Sequence, residues 1–227
     1  MTPFTKTLAA AGLAVCASLA SPAAAQVQGR IATVDTSGAI IGTDALKTAY
    51  DQVNTTYQAQ IDQAQAKRQE LTQVLQPFDT NSNGNLDESE LPAVQASSEL
   101  ATIQRLEGEI NSLTNQVSDA RVYAVEQILA QYPAALEEVA TQQQIQMILP
   151  VGSVQFARRE ADITQAIATS LNAKIPSVSV VPPQGYRRSQ QGTAVFQDIQ
   201  QRLIAARLRA AQEAQGQEGN AQAPAGR

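Results

Sequence analysis

The chain has 227 residues and a mass of 24.1 kDa, the length of one domain with a tail. Hydrophobic residues make up 43 % but aromatic ones only 4 %, with no tryptophan, which excludes a large globular core. The absence of histidine removes Ser–His, Cys–His and His-based zinc chemistry, and a net charge of −5 with a pI near 4.8 argues against a nucleic-acid partner.

At the N-terminus, Lys6 precedes an apolar run from Leu8 to Ala20 and then Ser21-Pro22-Ala23-Ala24-Ala25. A charged start, a short apolar middle and small residues at an A-x-A site predict a secretory signal cleaved after Ala25. The run is too short to remain as a spanning helix. The single cysteine, Cys16, lies inside it, and Val15 stands where a lipoprotein signal has Gly, Ala or Ser. The exported chain is therefore expected to lack disulfides and thiol chemistry.

Arg30 to Asp35 alternates apolar and polar residues like a half-buried strand, with Thr36, Ser37 and Gly38 ending it. From Asp44 the period becomes helical. Leu46, Tyr50, Val53, Tyr57, Ala64, Leu71 and Val74 predict a helix over 44–75, roughly 45–50 Å long. A second stripe, Ile103, Leu106, Ile110, Leu113, Val117, Ala120, Ala124 and Ile128, keeps steps of three and four residues for over three heptads. Both stripes are narrow, so each helix needs one partner. Reversal near residue 83 sets Ala64 opposite Ile103, Tyr57 near Ile110 and Leu46 near Ala120, which predicts an antiparallel coiled-coil hairpin over 44–132.

Pro133 is expected to break or kink the second helix, with a short helix from Ala134 to about Gln142 beyond it. Ile145–Leu149 and Ser153–Ala157, joined by Pro150-Val151-Gly152, read as a β-hairpin. Asp162 caps a compact helix that carries Ile163, Ile167 and Leu171 on one face. The fold class is thus mainly α with a small β body (α+β). Residues 26–43 and 133–175 form that body, too little sheet to stand alone, and a long helical hairpin projects from it. Oligomerisation follows on physical grounds.

Residues 176–227 change composition again. Pro182-Pro183-Gln184-Gly185 reads as a linker and Arg187-Arg188 as a small basic cluster. Val195, Phe196, Ile199, Leu203, Ile204 and Leu208 mark a short amphipathic helix, with disorder expected beyond Ala211. Arg202, Arg207 and Arg209 would let this helix contact an anionic membrane surface, although a helix docked on the body is the favoured reading.

The sharpest motif is the run from Asp79 to Glu90, which fits D-x-[DN]-x-[DN]-G-x5-E at every required position and resembles the EF-hand calcium loop. Calcium takes six to eight oxygen ligands in tolerant geometry. Asp79, Asn81 and Asn83 would offer side-chain oxygens, Asn85 its carbonyl, Asp87 a direct or water-mediated ligand, and Glu90 both carboxylate oxygens. Gly84 permits the sharp turn. Asp, Asn and Gly are also what any tight reversal selects, but a turn has no need of a glutamate at the twelfth position. Three carboxylates, no second loop and Pro77 just before the site predict weak, structural Ca2+ binding, on the order of 10⁻⁴–10⁻³ M.

Taken together, Ile31-Ala32-Thr33-Val34-Asp35, the helical hairpin, and the stretch from Ile145 through Asp162-Ile163-Thr164 resemble the Skp (OmpH) family of periplasmic chaperones over residues 30–175. The resemblance implies a homotrimer whose strands build a β body and whose three hairpins surround a cavity for unfolded outer-membrane proteins. It implies a periplasmic location and no enzymatic activity. Family members are often basic, whereas residues 43–132 here carry thirteen Asp or Glu against five Lys or Arg, a net of −8. The other function compatible with the residues is a calcium-responsive coiled-coil interaction protein of the cell envelope.

Overall fold

The computed structural model describes residues 29–221, with side chains through residue 214; the expected signal, Cys16 included, lies outside the described residues. Strand β1 (Arg30–Val34) runs straight into helix α1 (Thr36–Ile41). Thr36, Ser37 and Gly38 thus begin a helix, where the sequence pattern alone had them ending the strand. The Asp35 side chain decides this by accepting the Gly38 N–H at 3.0 Å, which satisfies a donor of the first turn. Helix α2 (Asp44–Thr56) is capped in the same way by Thr43, whose Oγ1 accepts the Leu46 N–H at 3.3 Å.

The expected single helix over 44–75 is divided at Tyr57 (φ −107°, ψ 20°) into α2 and α3 (Gln58–Leu75). Thr55 contributes to the break, its hydroxyl donating back to the Asp51 carbonyl at 3.1 Å, a bond that bends helices. After a tip that contains α4 (Leu91–Gln95), the chain returns as α5 (Leu100–Gln142), 43 residues and about 65 Å long. Seven of the eight stripe residues named on this helix are buried, Leu113 alone being half-buried.

The pairing register differs from the one expected. Arg121 donates to Asn54, Lys67 meets Glu109 at 3.1 Å, and Arg105 meets Glu70 at 3.7 Å, which places the reversal near residue 88 rather than 83. Tyr57 accordingly lies beside the Val117–Ala120 turn of α5 and not beside Ile110. A heptad stripe looks the same after a slip of one or more repeats, so periodicity alone does not choose among registers. Here the tip settles it, because residues 76–99 form a compact cap instead of two continuing helices.

Helix α5 passes through Pro133 without interruption, contrary to the break expected there. Packing on both sides carries it: Val125, Ile128 and, half-buried, Leu129 and Tyr132 before the proline, then Ala135 and Val139 after it, all join one core cluster. Strand β2 (Ile145–Pro150) pairs with β1 in parallel, Ile31 opposite Met147, Ala32 opposite Ile148 and Thr33 opposite Leu149. The expected hairpin to Ser153–Ala157 does not form. Val151–Ser153 is a 3-10 turn, and Gly152 lacks the positive φ that a two-residue hairpin turn requires. Helix α6 (Thr164–Lys174) follows, its first turn bonded by Asp162, which accepts the Thr164 N–H at 2.9 Å.

Residues 176–189 run as an extended strap along the hairpin into α7 (Gln190–Ala221). This helix docks on the body: Ile199 is fully buried, Val195, Phe196 and Leu203 pack beside it, and Arg202 is paired with Asp35 and Asp198. It continues to Ala221 where disorder was expected past Ala211, since Ala, Gln and Glu are good helix formers once a docked first half has nucleated the helix. Ile40, Ile128, Ile167, Leu171 and Ile199 are fully buried in the body core, each contributing about 1.5–3 kcal/mol of transfer free energy.

Pro133 is exposed and interrupts the hydrogen-bond ladder of a helix held by its neighbours. Pro133→Ala restores the missing donor, and we expect stabilisation of roughly 1–3 kcal/mol, read as a higher urea midpoint. A lower midpoint would show that the proline's local geometry is required.

Candidate functional site

Two regions stand out chemically, the polar tip of the hairpin and the apolar face of the β body. At the tip, the 3-10 turn Gln76–Phe78 delivers Asp79 into a loop of successive Asx turns. Asp79 accepts the N–H groups of Asn83 (3.1 Å) and Gly84 (2.7 Å), one on each carboxylate oxygen. Asn81 Oδ1 accepts the Asn83 N–H at 3.0 Å, and Asn83 Oδ1 accepts the Asn85 N–H at 2.7 Å. The amide groups of Asn81 and Asn83 both donate to Asp87 Oδ2, at 2.6 and 3.2 Å. Ser82 (φ 58°) and Gly84 (φ 80°) supply the left-handed residues the reversal needs.

Glu90 holds this loop together. It is 4 % exposed, and its Oε1 accepts the Thr80 N–H and hydroxyl, both at 2.7 Å, and the Asn81 N–H at 3.4 Å. Its Oε2 accepts the Asp87 N–H at 3.0 Å. The Asp87 N–H first, then the Thr80 hydroxyl, hold its carboxyl below the usual glutamate range despite the opposing effect of burial. All six residues singled out by the motif, Asp79, Asn81, Asn83, Asn85, Asp87 and Glu90, therefore sit in one loop. Yet among the described residues no group of three or more acidic, His or Cys side chains converges as a metal cage. The oxygens of Glu90 face three main-chain N–H donors and the Thr80 hydroxyl. Beneath the loop lies a cleft of about 560 Å³, lined by Thr72, Leu75, Gln76, Asp79 and Leu86 among others.

At the other end of the hairpin, Ile31 and Met147 oppose each other across the β1–β2 ladder and are 48 % and 51 % exposed. Val151 is similarly exposed, and Phe156 reaches 83 %. Sequence reasoning placed Phe156 in a strand and so missed its exposure. Its signal was the lack of a workable turn before it. Among the described residues no helix is long and apolar enough to cross a membrane.

Residues 30–171 match the family described as Outer membrane protein (OmpH-like), well over half of the chain. A solved structure from Caulobacter crescentus CB15, described as an OmpH-like outer membrane chaperone, is similar at 15 % identity with a TM-score of 0.41. The similarity covers 72 % of this chain and 93 % of that one. No curated protein matches the chain. The strap and α7 lie beyond the span the family matches.

Because folding lowers the Glu90 pKa, the order it imposes is complete above the ordinary glutamate range and is lost as pH falls through the folded-state value. We expect the Thr80, Asn81 and Asp87 amides to lose hydrogen-exchange protection over that acid window. In Glu90→Ala their protection should be low at every pH, and protection equal to that of the wild type would show that other contacts hold the loop.

Proposed function

Because the chain belongs to the OmpH-like outer membrane protein family, we propose that it is a periplasmic holdase chaperone for unfolded outer-membrane proteins. The observation that carries the reading is the unfinished β body. A parallel pair of strands with Ile31, Met147 and Val151 about half exposed and Phe156 almost fully so is too small and too apolar to be complete in one copy. Two further copies of the chain, three in all by the family resemblance, would cover that face and bring the helical hairpins around a common cavity.

Client contact in such a cavity would be weak and distributed over Ala, Leu, Val and Tyr side chains. The hairpin's net charge of −8 leaves little electrostatic attraction for acidic clients, so apolar contact carries the holding. No bond is made or broken, and no residue is assigned a catalytic role.

Calcium at the tip is the second part of the proposal. The donor set is all oxygen, as a hard cation prefers: carboxylates of Asp79, Asp87 and Glu90, amide oxygens of Asn81 and Asn83, and the Asn85 carbonyl. Glu90 would exchange its N–H partners for the ion, a rearrangement consistent with weak binding on the order of 10⁻⁴–10⁻³ M. The bound ion would offset part of the acidic repulsion between neighbouring hairpins.

Two experiments test these readings. Light scattering on the exported chain is expected to give three times the chain mass. Phe156→Ser should lower that mass, and with it the ability to keep several unrelated unfolded barrels in solution. A monomeric wild-type protein, or one that holds a single partner only, would favour a dedicated adaptor. Isothermal titration with calcium should show heats that Asp79→Ala and Glu90→Ala abolish, and unchanged heats in both variants would remove the site.

A further inference from the structure

The strap lies on the hairpin in a manner that depends little on its own sequence. Val178 packs at the junction of the two apolar clusters, and Val180 is buried with Ala49 and Val53 of α2 and Val117, Ala120 and Ala124 of α5. Ser177, Ser179 and Val181 between and beyond them face solvent. The seam is shallow because alanines line it, which leaves room for a third chain between two helices.

The polar contacts at this point address the main chain. Gln127 of α5 pairs its side-chain amide with both backbone groups of Ser179, donating to the carbonyl at 2.8 Å and accepting the N–H at 3.0 Å. The Tyr57 hydroxyl, at the break between α2 and α3, donates to the Val180 carbonyl at 3.4 Å. Apolar pockets two residues apart, with backbone contacts between and beside them, fit any extended segment whose apolar residues fall at alternate positions. Ser177-Val178-Ser179-Val180 has that alternation, and so do the strands of transmembrane β-barrels.

The remainder of the strap is held differently, through particular side chains. Arg188 is paired with Asp119 and donates to the Asn115 carbonyl at 3.1 Å. Tyr186 donates to Glu126 at 2.6 Å and sets its ring edge-on to Tyr123, with centroids 5.1 Å apart. The Ser189 N–H also donates to Glu126 at 2.6 Å, and α7 then docks on the body. One end is thus tied by specific contacts, and the Val178–Val180 end by generic ones.

We infer that the α2–α5 seam at Val53, Tyr57, Val117 and Gln127 is a binding subsite for extended, alternately apolar segments of unfolded β-barrel proteins. In the isolated chain its occupant is the strap, which a client must displace. The inference rests on the chaperone reading above. A tethered occupant acts at an effective concentration in the millimolar range. A single short client strand therefore competes poorly, whereas a long unfolded barrel offering many such strands prevails. The Arg188 and Glu126 contacts keep the displaced segment close enough to return on release.

The probe is a fluorescent peptide of residues 174–183, with a control peptide in which Val178 and Ser179 are exchanged so that the valines become consecutive. Anisotropy should show weak binding of the probe to the exported wild-type protein. Binding to V178S/V180S should be at least tenfold tighter, with no gain for the control peptide. Ser179→Pro, which removes the strap's N–H to Gln127 and the hydroxyl that accepts the Val181 N–H while leaving both valines in place, should open the seam in the same way and serves if the double variant fails to fold. Adding Gln127→Ala to either should cancel the gain. Equal probe binding by wild type and both strap variants, while all of them hold unfolded barrels, would overturn the subsite and leave the chaperone reading intact. If none of them holds an unfolded barrel, the chaperone reading fails and this inference with it.

Discussion

The structure depends on one constraint: a helix of 43 residues cannot bury its own apolar stripe. Helix α5 packs against α1, α2, α3, α6, α7 and β2, so nearly every other element exists in relation to it. Toward the tip its stripe is matched by Ala64 and the half-buried Ile61, Leu71 and Val74. Toward the base the same stripe, through Val125, Ile128 and Val139, becomes part of the body core. With few aromatic residues available, contact is spread thinly along the rod. Such a construction gives length at the expense of local stability.

Charge plays a different part. Lys67, Glu70, Arg105 and Glu109 form a four-member network across the hairpin, with Arg105 first and then Lys67 holding the Glu109 carboxyl below its usual range. Exposed pairs of this kind add little stability. Their effect is on register, since a slipped hairpin would set like charges against one another. The remaining acidic excess keeps the hairpin surface hydrated between its small apolar seams.

The two ends solve the problem of termination with opposite chemistry. At the tip there is hardly any core, and a buried glutamate gathers four polar hydrogens to close the loop. At the base the core is apolar, and α7 seals it: Gln200 donates to the Tyr50 hydroxyl at 3.0 Å, while Arg121 lies 5.7 Å from the centre of the same ring. Burial first, moderated by Gln200 and Arg121, raises the Tyr50 pKa and keeps the phenol neutral. The strap crosses from the body to the point where the first helix breaks.

The sequence by itself determined the long helices of the hairpin and the buried stripe. Ile103, Leu106, Ile110 and Val117 recur at helical spacing, and no strand period fits them. It also placed the six motif residues in one loop, because Asp, Asn and Gly at fixed offsets act locally. The register of the hairpin, the continuity of α5 through Pro133, the parallel pairing of β1 with β2 and the docking of the strap were decided only in three dimensions. Each depends on partners that lie tens of residues apart in the chain, and local periodicity carries no information about which distant surface will be there to receive it.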